Sequence, residues 1–379
     1  MGKHCADDKN CFNRYHPAIK PVASAVPGQV IIFHTRDALD SELNFKSIPA
    51  DLSAIDLNLV HPMTGPVHIK GAKRGDVLAV TLVDIKPDVY GYTVILPGFG
   101  FLRDKFNKPF IASWSLTRLA ATSKQIPGVT IPFNGFMGSV GVLPGLPEVK
   151  KILKREAMLG SAGGVVLLPQ PVGAMPKSVC GPKGSHKNAC LRTIPPRENG
   201  GNMDVKQMQV GTTLLLPCFI DGCGLFVGDV HYAQGDGEVS GTAIEMGAVV
   251  TVKVEIRKGL GAYVKVPHFE GGAQLKKLAP EKFYATTGFP IKKAGTIPIY
   301  LAYLDSKKLG PLTALSEDLT MAARNALLAI IDYMVRTKGL TPEQAYIVAS
   351  VAVDLRIGQL VDVPNYIVSA VLPLTIFDK

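Results

Sequence analysis

Glycine and proline limit the length of every regular element in the first two thirds of this chain. With 38 Gly and 28 Pro in 379 residues, the apolar runs between them stay short: VIIFHT (30–35), DVLAVTLVDI (76–85), TTLLLPCFI (212–220) and GAVVTVKVEI (247–256). Runs of this length, rich in β-branched residues, suit a pleated surface better than a helix. VTVKVEI alternates apolar and polar residues with period two, and turn residues recur at the intervals of antiparallel sandwiches. The sequence therefore predicts a mainly-β domain over residues 29–258, preceded by an N-terminal extension over 1–28. Loops are expected around 97–100, 144–147 and 170–185, and GPKGSHKNACLRTIPPRENGG (181–201) reads as the least ordered of them.

The pattern changes near residue 315. SEDLTMAARNALLAIIDYMVRTKG (316–339) opens on Ser and two acids, carries apolar residues at helical spacing and closes on Lys-Gly. These are the start and stop signals of an amphipathic helix. TPEQAYIVASVAVDL follows, with Thr341 as N-cap and Pro342 at the first helical position. Two consecutive helices and a final strand-like VDVPNYIVSAVLPLTIF predict an α+β portion over 259–379, appended to the β body.

At 47% hydrophobic and 19% charged residues the chain can bury a large core. Its longest apolar stretches, such as LGSAGGVVLLPQPVGAM (159–175), break well before the roughly 20 residues of a membrane helix. MGKHCADDKNCFNRYH does not read as a secretory signal, so a cytoplasmic location is expected. The net charge of +10 is spread over pairs such as Lys150-Lys151, Lys276-Lys277 and Lys307-Lys308, with no basic stripe among aromatics. Nucleic-acid binding is not expected. Cysteines 5, 11, 180, 190, 218 and 223 include no CxxC; they read as reduced thiols, with Cys5 and Cys11 exposed.

GDVHYAQGDGEVSGTAIE (228–245) gathers Asp229, His231, Asp236 and Glu238 between glycines, with no Lys or Arg. If its first part is extended, Asp229 and His231 project from one face. The QGDGE turn can swing Asp236 and Glu238 back toward them, because glycine tolerates positive φ. Crowded carboxylates repel, and burial raises their pKa, so such a cup calls for a cation or for a carboxylate that keeps its proton. An Asp-x-His pair suits a zinc site with an open position. The blander reading is a solvated or calcium-holding acidic loop. His61, before Pro62, offers a second imidazole; Asp37 and Asp40 sit in a turn after a strand. Asn202 and Asp204 lie beside two glycines in GGNMD (200–204), where an amide and backbone N–H groups can meet a ligand.

The same run, together with GGNMD, VHPMTGPVHIKGAKRGDVLAV, GFMGSVGV (135–142) and GLTPEQAYIVASVAVDLRIGQLVD (339–362), resembles the acetamidase/formamidase family from about residue 29 to the C-terminus. The resemblance implies a jelly-roll-like β-sandwich, hydrolysis of short aliphatic amides to a carboxylate and ammonia, and a homo-oligomer. Ser240 stands where members often carry Cys, which turns the expectation from a thiolate toward an activated water. An amide needs a nucleophile, a stabiliser for the oxyanion and an acid for the leaving nitrogen. The expected arrangement has His61, His231, Asp229 and Asp37 holding a divalent metal, zinc first and calcium second. Glu238 is expected as acid–base, assisted by Asp236, and Gln234 and Asn202 as binders of the substrate amide. The alternative is a non-catalytic carbohydrate- or ion-binding β-sandwich with structural calcium.

Overall fold

A computed structural model of the chain describes residues 4–378. Among these, fourteen strands join in one continuous hydrogen-bonded sheet. Its pairings are antiparallel except for Ala23–Ala25 beside Met63–Ile69. The mainly-β architecture read from the short apolar runs is thus the one adopted. Glu245–Arg257 shows the alternation directly: Val250, Val252 and Val254 are buried while Lys253 and Glu255 face water.

The strand that positions the site is Leu225–His231. Phe136–Val142 runs along one of its edges. Met63–Ile69 and Glu245–Arg257 share the other, the first near Leu225 and the second at Val230 and His231. Every residue of Leu225–His231 is buried. Both faces of this strand are covered, so its polar residues sit inside the protein rather than on a wet face.

The C-terminal elements follow their sequence signals. Leu319–Lys338 is capped by Asp318, whose side chain accepts from Met321 N, and ends at Gly339 with φ 66°. Pro342–Ala352 opens with a reciprocal capping box between Thr341 and Gln344. Phe283–Gly288, which precedes both helices, and Asp354–Gln359 and Ile367–Pro373, which follow them, form an antiparallel three-stranded sheet with Ile367–Pro373 in the middle. No helix among the described residues is long and apolar enough to cross a membrane.

One apolar core runs from Ala25 through the sheet to Ile376 and takes in Leu327, Ile330, Tyr346 and Val348 of the two helices. The C-terminal portion therefore shares the core of the β body. Residues 11–15 are embedded too. Cys11–Phe12 pairs with Met63–Ile69, and Arg14–Tyr15 with Leu191–Arg192. The Tyr15 ring stacks on Phe226 at 4.8 Å.

The cysteines correct the sequence reading. All six are paired, as Cys5–Cys11, Cys180–Cys190 and Cys218–Cys223. Cys5 and Cys11, expected to be exposed, are buried. Each bond closes a short turn, with separations of 6, 10 and 5 residues. Whether two thiols meet across such a turn depends on its backbone, which spacing does not reveal. The segment 181–201 is held by one of these bonds, and within it Asn199 Nδ2 donates to Val142 O at 2.8 Å.

Candidate active site

His231 ends the buried central strand, and carboxylates meet its ring from separate elements. Asp229 comes from two residues earlier on the strand, with Oδ1 3.4 Å from His231 Nε2. Glu245, directly opposite in the antiparallel register, places Oε2 at 3.2 Å. Glu238, from the loop between the two strands, places Oε1 at 3.9 Å. Donor atoms of Asp204, Asp229 and His231 lie within 4.8 Å of one another, as do those of His231, Glu238 and Glu245. His61 stands beside Asp229, Nε2 to Oδ2 3.9 Å.

The other ring nitrogen of His231 is already engaged. Nδ1 lies 2.9 Å from Gln234 Oε1, and Gln234 Nε2 donates to the carbonyl of Asp204 at 2.9 Å. Because the Gln234 amide spends its N–H on Asp204, its oxygen is the acceptor, so His231 Nδ1 carries the hydrogen and Nε2 faces the carboxylates. Ser139 reaches in from Phe136–Val142, its hydroxyl 3.0 Å from Asn202 Oδ1 and 3.3 Å from Asp229 Oδ2. Asn202 Nδ2 donates to Ile194 O at 3.1 Å.

The structure therefore brings together His61, Asp229, His231 and Glu238, and it gives four other sequence candidates other surroundings. Asp37 is absent from the cluster: its carboxylate accepts from Tyr92 Oη and from the amides of Leu39 and Ser41, which ties a turn. Asp236 turns away from His231 and lies 3.7 Å from Lys206 Nζ, which pairs with Asp354. The Gln234 amide joins His231 to the Asp204 carbonyl and the Asn202 amide joins Ser139 to the Ile194 carbonyl, which leaves each amide nitrogen one further N–H.

The sequence profile of the Acetamidase/Formamidase family matches residues 1–379. The chain belongs to the acetamidase/formamidase family. It is 31% identical to an acetamidase of Mycolicibacterium smegmatis, over 89% of this chain and 84% of that one. It is 29% identical to a formamidase of Methylophilus methylotrophus, over 98% and 90%. Among solved structures it resembles a γ-lactamase from Delftia acidovorans, with a TM-score of 0.88, 30% identity, and coverage of 100% of this chain and 92% of that one.

In this acetamidase/formamidase chain the cluster's electrostatics follow from burial of opposed charges. Burial pushes Glu238 up to about 8, with His231 pulling the other way. Glu245 is pushed up to about 7 by burial, again against His231. Burial likewise holds Asp204 well above its ordinary value, with Glu238 adding to the rise. For Asp229 burial is outweighed by His61 and His231, which take it below the usual carboxylate range. Burial disfavours the charged ring of His231, but Glu245 and Asp229 more than compensate and raise it well above normal. His61 is lowered, by burial first.

Glu245, Asp204 and Ser139 complete the site beyond the residues picked from spacing. Asp204 was visible in GGNMD but carried no assigned role. Glu245 ends the acidic run itself, and its partner across the ladder is His231. Ser139 had no signal beyond its place in GFMGSVGV.

The loop that carries Glu238 is held from behind by Pro342–Ala352. Gly235 N donates to Ser350 O at 2.9 Å and Ser240 N to Ser350 Oγ at 3.0 Å. Ser350 Oγ in turn donates to Thr242 O at 2.7 Å, and Tyr346 Oη donates to Val239 O. A Cβ at Gly235 would run into the Val353 and Ala349 backbone. Ser240 is buried in this hydroxyl group, away from the His231 ring.

Proposed function

We propose that this cluster hydrolyses the C–N bond of short aliphatic amides, of the formamide and acetamide type, with a divalent cation held around His231. Membership of the family makes the chain an amidase of short amides. One observation carries the reading of the site. Asp204 Oδ1, Asp229 Oδ1, His231 Nε2 and Glu245 Oε2 are buried and make no well-formed hydrogen bond, although Asp229 Oδ1 and Glu245 Oε2 lie at ion-pair distance from His231 Nε2. Buried polar atoms without partners are costly, and here they converge. One imidazole among several carboxylates is a donor set for a hard or borderline divalent ion, so the residues fit the group.

Asp204, Asp229 and His231 would hold the ion, with His61 beside Asp229 and Glu245 opposite. Zinc comes first for the His and carboxylate mixture, and calcium second for the number of oxygens. Such an ion supplies Lewis acidity toward a water and toward the amide carbonyl. Gln234 keeps the His231 ring in one tautomer, with Nε2 turned inward. Ser139 steadies Asp229. Glu238, with a side chain 18% exposed against 3% for Asp229 and for Glu245, is more open than either, and burial lifts it to about 8. It takes a proton from the attacking water and returns it to the amide nitrogen, so that the C–N bond breaks to leave a carboxylate and ammonia.

A non-catalytic calcium-binding sandwich is not favoured, because it gives no role to an imidazole locked with one nitrogen facing the carboxylates. Exposed apolar side chains such as Phe283, Ile357 and Val361 support assembly of copies. The disulfides favour an oxidising compartment over the cytoplasmic location expected from the N-terminus. Ammonia release from formamide and acetamide, with and without exhaustive chelation, tests the reading. Glu238→Gln should cut turnover by roughly 10² to 10⁴ with folding intact. Full activity after chelation removes the cation, and unchanged turnover in the variant removes Glu238.

A further inference from the structure

Glu245 meets the His231 ring and also stands in the wall of a small pocket of about 150 Å³. That is room for about five water molecules, and so for a ligand of few heavy atoms. The pocket opens where the sheet breaks step. Met246 pairs with Gly91 and Ala248 with Pro87 of the neighbouring strand Val77–Ile95, so Asp88, Val89 and Tyr90 stand opposite Gly247 alone. Bulges of this kind are common beside active sites, because they re-aim side chains.

Gly247 follows Glu245 by two residues, so both occupy one face of their strand, roughly 7 Å apart. Where a Cβ on Gly247 would stand, two acceptors are close: Asp88 Oδ2 at 3.4 Å and the Thr35 carbonyl at 3.5 Å. Asp88 is exposed and accepts from Val89 N through its other oxygen. Arg36, also in the wall, pairs with Asp8 and Asp40. Tyr92 ties the wall to the cluster. It is the ladder neighbour of Glu245, and its hydroxyl donates to Asp37 of the pocket wall. Burial first, then the charges of Asp37 and Glu245, push its phenol well above the ordinary value.

We propose that this pocket is the leaving-amine subsite of the His231 cluster. It takes the unsubstituted NH2 group of the amide, which donates to Asp88 Oδ2 and the Thr35 carbonyl while the amide carbonyl lies at the cluster. The inference rests on the amidase reading above and names the part of the substrate that lies on the Glu245 side. An NH2 group carries two donors, and each needs an acceptor once it leaves water. The floor over Gly247 supplies two, with no side chain in between.

The test measures kcat and KM for formamide and acetamide in the parent, Gly247→Val and Asp88→Ala. Gly247 is outside the left-handed region and strands favour Val, so the fold should be kept. The exposed Asp88 gives a second variant that does not depend on it. KM should rise at least tenfold in Gly247→Val, whose side chain fills the floor, and about three- to tenfold in Asp88→Ala, the worth of one hydrogen bond. The kcat should change less, since the contact holds the substrate before and during reaction. Mere disturbance of Glu245 would lower kcat instead. Both amides should lose alike, because they present the same NH2 group, and Asp88→Asn, which keeps an acceptor oxygen, should recover most of the loss. An unchanged KM in either variant overturns the subsite. A loss confined to acetamide overturns it as well, and gives the pocket to the acyl group. If the parent hydrolyses neither amide, the amidase reading fails. Saturation-transfer NMR with acetamide then decides the pocket by itself: binding to the parent that is lost in Gly247→Val upholds it, and binding kept in the variant or absent from the parent overturns it.

Discussion

Gly138 and His231 compete for one volume: a Cβ at position 138 would stand 2.6 Å from Cε1 and 2.7 Å from Nε2 of the imidazole, and 2.7 Å from the carbonyl of Asp229. Real side chains do not tolerate such distances, and the strand on which Gly138 sits is buried on both sides. Gly138→Ala should therefore push the ring off its position. The expected outcome is a loss of kcat/KM of about 10² or more, since a displacement of about 1 Å costs that much. Far-UV circular dichroism should be retained. Turnover within a factor of two of the parent would show that the ring has room to spare.

Gln234 acts on the same ring from the opposite side. Gln234→Leu leaves His231 Nδ1 without its acceptor and Asp204 O without its donor. The loss of such an outer partner typically lowers activity or ion affinity by about 10- to 100-fold. In ion-loaded protein, where Nε2 would face the cation, imidazole ¹⁵N spectra should lose the single Nδ1–H tautomer, a change that simple loosening of the loop would not produce. Retention of that tautomer assigns its control to another group.

In the ion-free protein the cluster sets how stability varies with pH. Glu238 and Glu245 titrate at about 8 and about 7 in the folded state, far above the ordinary glutamate value. Folded protein thus binds protons that the unfolded chain has released, and stability falls as pH rises. His231, raised, acts in the same direction above its unfolded value near 6.5. Asp229, lowered, contributes fully throughout this range. His61, lowered, opposes the trend only below about 6.5. Between about pH 6.5 and 8 the melting temperature of chelator-treated protein should fall, with a shallower slope in Glu238→Gln. A rise over that window contradicts the charge arrangement.

Reduction should matter because the bonds staple short turns. Closing a loop of about ten residues stabilises by roughly 2–3 kcal/mol in the chain-entropy account. A Cys180→Ser, Cys190→Ser double variant should lower the denaturation midpoint accordingly. Thiol titration of unreduced, unfolded parent protein should find none free; six would refute the pairing.

How far the sequence alone reaches differs from residue to residue. Asp229, His231 and Glu238 fall within one short run, and a strand followed by a glycine turn is enough to bring them together. Glu245 ends that run, yet its place opposite His231 depends on pairing register across an irregular loop. The helices near the C-terminus carry their caps in sequence, in Asp318, Thr341 and Gly339. Their partner does not appear there: the contact between Ser350 and the Glu238 loop is made by tertiary packing. Asp37 has the right chemistry for a ligand, but its oxygens are spent on a tyrosine and two amides.

The helix Pro342–Ala352 gives no donor atom to the cluster, yet its final turns are what the Glu238 loop rests on. A chain cut short before it would retain every reacting group and lose the footing of one of them. Turnover can thus be retuned from positions 340–354, and a mutant library confined to ligands and acids would overlook the residues that aim them.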